Sequence, residues 1–147
     1  IQDSISYWDD FSKQKIVYPN MTKFLPFILD NEGFMTNQKC FIITGRKIAF
    51  LTAFFNSSLF KFCFRDNFPE LQGGTRELSK IFFENIPVKE IDNETELLFE
   101  SKIIEIQKCK KENICTKKQE IEIDNYIFDL YEFTAEEKEI IGFIEIQ

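Results

Sequence analysis

Phenylalanine is the residue that most constrains how this chain can fold. It occurs 18 times in 147 residues, and aromatic residues make up 16% of the sequence. Because burial of a ring of this size removes a large apolar area from water, the composition predicts a core built largely of aromatic side chains. Many phenylalanines flank a polar stretch, Leu71–Arg76, which contains two adjacent glycines. A loop of this kind, anchored at both ends, can bring its backbone and the forked guanidinium of Arg76 close to a partner.

The length indicates one domain, residues 1–147. The sequence has neither a run of about 18 uncharged apolar residues nor a charged segment followed by an apolar leader. It therefore predicts no membrane helix and no signal peptide. The chain starts at Ile1 rather than at Met. We expect it to be a fragment of a longer enzyme whose catalytic machinery lies upstream.

The absence of histidine excludes Ser-His and Cys-His pairs and an imidazole base. The four cysteines are predicted to be reduced and to pack as small apolar residues; they are Cys40, Cys63, Cys109 and Cys115. The six-residue step from Cys109 to Cys115 is not a zinc spacing. No metal or other cofactor is expected on this chain.

The net charge of −7 argues at first against DNA as a partner, but its distribution is uneven. Residues 1–93 carry equal numbers of acidic and basic side chains, so residues 94–147 hold the whole negative excess. An acidic tail beside a neutral lobe is compatible with one face that meets phosphates. Because a neutral lobe binds DNA weakly, most of the affinity is expected from a larger basic partner domain.

The hydrophobic pattern predicts an α+β fold, a mixed sheet lobe with packed helices followed by a helical C-terminal region. Strand character is found at Lys15–Tyr18 and again at Cys40–Thr44, and the turn signal at Asp30–Gly33 suggests a hairpin or short loop. Apolar residues at helical spacing cover Ile48–Phe64, with Asn56–Ser58 inside this helix or breaking it. The mixed lobe is assigned to residues 1–92.

The acidic helical region is assigned to residues 93–147. Asn93 and Glu96 have the spacing of a capping box, and Asp124 is expected to cap a second, short helix. Thr134 and Glu137 form a further capping box that begins the last helix.

Three polar stretches are candidate nucleic-acid contacts. Gly73 to Arg76 could be an ordinary surface turn or a loop that places Arg76 on a guanine edge or a phosphate. Arg46 and Lys47 could be solvated charges or a clamp on the phosphate backbone. Asn37, Gln38 and Lys39 could be the solvated tip of a sheet element. They could also read bases, because Asn and Gln pair with the major-groove edge of adenine. The complete candidate set is Lys23, Asn37, Gln38, Lys39, Arg46, Lys47, Gln72, Gly73, Gly74, Thr75 and Arg76.

The order of these motifs resembles the TaqI-like C-terminal specificity domain. The similarity starts at Trp8 and the first strand and continues through the following segments: Cys40–Ile43, Leu51–Leu59, Leu71–Arg76, Glu84–Val88 and Ile123–Glu137. No single motif is specific to this family, but the order and spacing of the motifs together are fairly specific. Glu132 stands where the family commonly has glycine before the last helix, which puts a left-handed cap there in doubt.

The resemblance implies a target recognition domain of a restriction-modification system. Such domains belong to DNA adenine methyltransferases and to type IIG enzymes, which fuse methyltransferase and endonuclease. The chain would then be non-catalytic and would bind double-stranded DNA in the bacterial or archaeal cytoplasm. The N-terminal methyltransferase domain of the same polypeptide would hold S-adenosylmethionine and act on the target adenine.

Two other classes remain open. The acidic helical tail could dock another protein, which makes the chain an interaction module without DNA contact. An independent carboxylate-dependent nuclease is a weaker alternative, because the Glu136–Lys138 stretch is explained by a capped amphipathic helix.

Overall fold

The computed structural model describes residues 13–19, 21–22, 27–33, 40–64, 76–78, 83–84 and 86–144, and of residues 21, 22, 64 and 76 it describes the backbone alone. The strands in this part are β1 (Lys15–Pro19), β2 (Met21–Thr22), β3 (Ile28–Asp30), β4 (Cys40–Ile43) and β5 (Arg76–Glu77). The helices are α1 (Ile48–Asn56), α2 (Ser58–Phe64), α3 (Asn93–Lys111), α4 (Lys117–Leu130) and α5 (Ala135–Ile141). The predicted α+β class is confirmed.

Two small antiparallel sheets account for the described strands. The larger has the order β3-β1-β4, and the smaller pairs β2 with β5. The strand predicted at Lys15–Tyr18 is the central one, since both β3 and β4 pair with it. The turn at Asp30–Gly33 therefore does not join β3 to β4 as neighbours, and the apolar run that follows it lies outside the described residues.

The long helix predicted over Ile48–Phe64 is divided at Ser57. The Ser57 hydroxyl donates to the carbonyl of Phe54 at 2.6 Å and accepts from the amide of Phe60 at 3.1 Å. A short hydroxyl side chain that bonds neighbouring backbone groups competes with the helical pattern. The two helices that result, α1 and α2, form one wall of the core.

The core is aromatic, as the composition predicts. The ring centroids of Phe55 lie 5.1 Å from Phe27 and 5.2 Å from Phe60, and Phe83 is 5.1 Å from Tyr18. Tilted and edge-to-face pairs at these distances add about 0.5–1.5 kcal/mol each to the burial of the rings. These ring pairs hold the sheet against α1 and α2. The ring centroids of Phe50 and Phe99 lie 5.1 Å apart, and this contact extends the same core to α3.

The capping residue predicted for α3 is wrong by one position. Asp92 is the N-cap, and its carboxylate accepts from the amide of Thr95 at 2.7 Å, which lowers the pKa of Asp92. Asn93 is the first helical residue, and Glu96 turns away from its own helix. The buried face of α3 holds Phe99, Ile103 and Ile106.

The end of α4 shows that glycine is not required at position 132. Glu132 has φ 59°, the left-handed conformation that the missing glycine put in doubt. The amide of Phe133 bonds the carbonyl of Phe128 at 3.0 Å, and that of Glu132 bonds Asp129 at 3.1 Å. This is a Schellman motif, completed by the contact of the Phe128 and Phe133 rings. The Thr134–Glu137 capping box that follows is confirmed.

All four cysteines are free thiols. Cys40 and Cys109 are half-buried, whereas Cys63 and Cys115 are exposed. The predicted role as packing residues is therefore wrong for the two exposed cysteines, because a pattern of apolar neighbours does not fix which face of a helix is covered.

Candidate nucleic-acid interface

The structure describes three of the predicted contact residues. Arg46 and Lys47 are described with their side chains, and Arg76 through its backbone in β5. The other eight lie outside the described residues; they are Lys23, Asn37, Gln38, Lys39, Gln72, Gly73, Gly74 and Thr75.

Several predicted segments adjoin residues that take part in strand pairing. Pro19, the last residue of β1, pairs with Cys40, and Thr22 in β2 pairs with Arg76. The candidate residues 23, 37–39 and 72–75 are each joined in the chain to one of these paired residues. Three separate stretches of candidate residues are thus each continuous in the chain with a described strand, namely β2, β4 and β5.

Arg46 and Lys47 follow the opposite end of β4. Ile43, the last residue of that strand, pairs with Ile16 near the start of β1. A four-residue strand is about 10 Å long, so this turn lies about that far along β4 from Cys40. Among the described candidates, Arg46 and Lys47 follow a strand of the larger sheet, whereas Arg76 begins a strand of the smaller sheet.

Lys47 also has a structural role within the fold. It is the N-cap of α1 with a left-handed φ of 57°, and its ammonium donates to the Asn93 side chain in α3. Arg46, by contrast, is exposed, so it is the more accessible of the two residues.

Glu96 occupies the N-terminus of α1. One carboxylate oxygen accepts from the amide of Ala49 at 2.8 Å and the other from Phe50 at 3.0 Å. A helix N-terminus attracts anions because its first amides lack helical partners and carry partial positive charge. Since Glu96 fills this position, the amides of α1 are satisfied from within the chain, and α3 is fixed to α1.

Asp124 caps the N-terminus of α2 in the same way. It lies in the middle of α4, where the sequence suggested a cap for a short separate helix, so that prediction is wrong. Its carboxylate instead accepts from the amide of Ser58 at 2.9 Å and from the Ser58 hydroxyl at 2.5 Å. Burial raises the pKa of Asp124, and these hydrogen bonds oppose the shift. An acidic side chain of the C-terminal region thus caps a helix of the mixed lobe.

The edge of β3 is covered by two amide side chains. Asn56 accepts from the amide of Phe27 at 3.0 Å and donates to its carbonyl at 2.7 Å. Gln107 makes the equivalent pair of bonds with Leu29, at 2.8 and 2.9 Å. Asn56 therefore bonds backbone groups inside the fold. These side chains protect an edge that could otherwise pair with another strand.

The first sheet also contains a buried ion pair. Lys15 and Asp30 are cross-strand partners in β1 and β3, and their charged groups are in contact although both side chains are almost fully buried. Asp30 accepts in addition from the amide of Glu32 at 2.8 Å, which holds the start of the following turn. Because removal of one partner leaves a buried charge, the pair favours this strand register.

Three of these structural residues were not identified from sequence in their actual roles. Glu96 and Asp124 carry signals of helix capping, but each caps a helix distant in the chain rather than its own. Gln107 carries no signal at all, because its partner Leu29 is 78 residues away.

Among the described residues, no helix is long and apolar enough to cross a membrane. The described part of the chain likewise contains no group of three or more acidic, cysteine or histidine side chains placed to hold a metal ion.

The described residues define an α+β domain in which a small antiparallel sheet packs against helices. The chain belongs to the TaqI-like C-terminal specificity domain family, whose model matches residues 2–88. The resemblance identified from the residues is confirmed for this part, and the similarity proposed for Ile123–Glu137 lies beyond the match. No curated protein matches the chain. A specificity domain of restriction-modification enzymes serves to recognise DNA sequence, while catalysis belongs to other domains.

Proposed function

We propose that this chain reads a short sequence of double-stranded DNA for an adenine methyltransferase or a methyltransferase–endonuclease fusion. The observation that carries the proposal is the family match over residues 2–88, which includes every candidate contact residue. The strand pairs Pro19–Cys40 and Thr22–Arg76, whose members adjoin candidate segments in the chain, support a single reading surface. Good base contacts contribute about 1–3 kcal/mol each, so a few are enough to select a site.

The contacts divide into two kinds. The segments that include residues 23, 37–39 and 72–76 would carry the groove contacts, because Asn, Gln and Arg have the hydrogen-bonding groups that distinguish base pairs. Arg46 and Lys47, at the other end of β4, would lie closer to the phosphate backbone. Phosphate contacts set position along the duplex without reading sequence.

The rest of the enzyme would supply the chemistry. We propose an N-terminal methyltransferase domain that holds S-adenosylmethionine and takes the target adenine out of the helix before methylating it. That domain would also provide the basic surface that this chain, with its net charge of −7, lacks. The location proposed is the cytoplasm of a bacterial or archaeal cell.

The test uses the full-length enzyme expressed in cells that lack adenine methylation. Residues 37–39 and 72–76 are exchanged, separately and together, for those of a family member with a different target, and the methylated motifs are mapped across the genome. We expect the motif to change at one or two positions for each exchange. A matched exchange of residues 117–122 on the exposed side of α4 should leave the motif intact. An unchanged motif with full activity in all exchanges contradicts the proposal.

A second function is favoured by a different observation. Leu97 is 65% exposed and Ile104, seven residues later on the same face of α3, is 44% exposed. This apolar pair on an acidic helix suits a protein partner, which corresponds to the interaction module left open by the sequence. It predicts that Leu97→Ser weakens assembly with another protein while DNA site choice is unaffected.

A further inference from the structure

A cavity of about 240 Å³ lies where the mixed lobe meets the C-terminal helices. Its walls are mainly apolar, with the rings of Phe27 and Phe143 and the side chains of Ile103 and Ile106. Ile28, which is 54% exposed, stands at its rim. The cavity exceeds the roughly 150 Å³ of an engineered apolar cavity that binds benzene, so one aromatic ring fits with space for a substituent.

Most polar side chains around the cavity are already bonded to the protein. Asn56 and Gln107 bond the backbone of β3, and Ser57 bonds α1 and α2. Ser58 donates to Asp124 and accepts from the amide of Ile144 at 2.8 Å. These side chains contribute shape to the cavity more than hydrogen-bonding capacity.

Lys61 and Asp124 retain capacity toward a ligand. The Lys61 ammonium donates to the carbonyl of Asn56 at 2.9 Å and to that of Ile144 at 3.3 Å, which uses two of its three N–H groups. Each oxygen of Asp124 accepts one bond from Ser58, and a carboxylate accepts about four. The cavity therefore offers one donor and one acceptor within an apolar enclosure.

The charges around the cavity already balance. Lys110 and Glu120, which also line it, form an ion pair of 3.0 Å, and Lys61 and Asp124 contribute one charge of each sign. A ligand with a net charge would disturb this balance in a poorly solvated space. A neutral group that both accepts and donates matches it, and a hydroxyl is the smallest such group.

We propose that this cavity is a binding site for a small neutral aromatic alcohol of the phenol type. The ring lies among the apolar walls, while the hydroxyl accepts from Lys61 and donates to Asp124. Burial lowers the pKa of Lys61 to about 8 and raises that of Asp124, so both groups are poorly hydrated and gain from a new partner. Because residues from both regions line the site, a bound ligand strengthens their docking. The proposal is independent of DNA recognition.

The test titrates the chain, with ¹³C-labelled isoleucine methyl groups, with phenol, toluene and benzoate at pH 7. We expect phenol to shift the methyl resonances of Ile103, Ile106 and Ile123, with a Kd on the order of 1 mM. Toluene should bind about tenfold more weakly because it cannot satisfy Lys61 and Asp124. Benzoate should be weaker than phenol because of its charge. Exposed Ile114 and Ile140 serve as internal references and should not shift.

Two variants separate the ring from the hydroxyl. Lys61→Met should reduce the phenol-to-toluene preference to less than about threefold while toluene still binds. Ile28→Trp should close the rim and abolish binding of both, and Leu97→Trp on the exposed face of α3 is the matched control. The proposal is overturned by equal affinity for phenol and toluene, by equal shifts at the reference methyls, or by binding that survives Ile28→Trp.

Discussion

Glu132 is a residue held in a conformation that its chemistry does not favour. A side chain at φ 59° places its Cβ close to the following carbonyl, which costs roughly 1 kcal/mol for residues other than glycine and asparagine. The Schellman bonds to Phe128 and Asp129 and the Phe133 contact keep the turn in place despite this cost. Glycine at this position would therefore be a matter of energy rather than of necessity.

We predict that Glu132→Gly stabilises the protein by about 0.5–1 kcal/mol in urea unfolding, because it removes the left-handed strain. Asn113 is the matched control, since it ends α3 in the same conformation with φ 58° but tolerates it better. Asn113→Gly should change stability by less than half as much. If Glu132→Gly destabilises the protein, the Glu132 side chain stabilises the fold by more than the left-handed backbone conformation costs.

Lys61 predicts a pH dependence of stability. Burial disfavours the ammonium and lowers the pKa of Lys61 from its ordinary value of 10.5 to about 8 in the folded protein. Below pH 8 both states are protonated and the full cost of the buried charge is present. Between pH 8 and about 10 the unfolded state binds more protons, so this group makes stability rise with pH.

We expect Lys61→Met to raise the free energy of unfolding at pH 7 by on the order of 2 kcal/mol and to remove this rise. The measurement is urea unfolding at pH 7, 8 and 9, which ends below the range where tyrosines titrate. Lys118→Met on the exposed side of α4 is the control and should change neither quantity. If the free energy of unfolding of Lys61→Met rises with pH as much as that of the unchanged protein, the pH dependence belongs to other groups.

These residue-level effects were accessible from sequence only where the partner is close in the chain. The Thr134 capping box was predicted because its members are three residues apart. Lys61 could not be recognised, because its burial depends on Ile144, which is 83 positions away.

At the scale of elements, acidic side chains of one region bind the helix starts of the other. Glu96 from α3 binds the start of α1, and Asp124 from α4 binds that of α2. Each bond is between a carboxylate and a backbone amide, which is stronger than a bond between neutral groups. The excess negative charge of residues 94–147 therefore has in part a structural explanation, which competes with the interpretation of this region as a docking tail.

We predict that Glu96→Ala destabilises the protein by about 2 kcal/mol, because two amides of α1 lose a charged acceptor. Hydrogen exchange at Ala49 and Phe50 should accelerate more than at residues in α4. Glu94→Ala, an exposed change in the first turn of the same helix, should cost less than about 0.5 kcal/mol. Equal effects of the two substitutions contradict a specific role for Glu96.

The existence and type of most elements could be predicted, since periodicity and capping signals are local. The pairing of strands could not: Lys15–Tyr18 was recognised as a strand, but nothing in it indicates that both β3 and β4 pair with it. The division at Ser57 was left open, because the competition between its hydroxyl and the helical bonds depends on local geometry.

At the scale of the whole molecule, two arginines of the candidate set belong to different sheets: Arg46 follows β4 of the larger sheet, and Arg76 begins β5 of the smaller one. This separation predicts two different responses of DNA binding in the full-length enzyme. Arg76→Ala should weaken the specific site about tenfold and relax discrimination at one base pair, because a base contact is lost. Arg46→Ala should weaken specific and nonspecific DNA alike and reduce the salt dependence by about one counterion.

Both responses are measured by fluorescence anisotropy with matched and single-mismatch duplexes at several salt concentrations. Lys118→Ala is the control for loss of a surface charge and should leave the affinity within about twofold. If Arg76→Ala and Arg46→Ala behave alike, the division into reading and positioning ends is wrong. The sequence could nominate these residues from their chemistry, but their assignment to different sheets comes from the structure.

The way Glu96 and Asp124 bind α1 and α2 bears on attempts to make new restriction enzymes by exchanging parts. A chimera that transplants only the family-matched segment would set two helix starts against the carboxylates of an unrelated scaffold, or against none. The exchangeable module is therefore larger than the similarity suggests, and it extends through α4 to include both acidic partners.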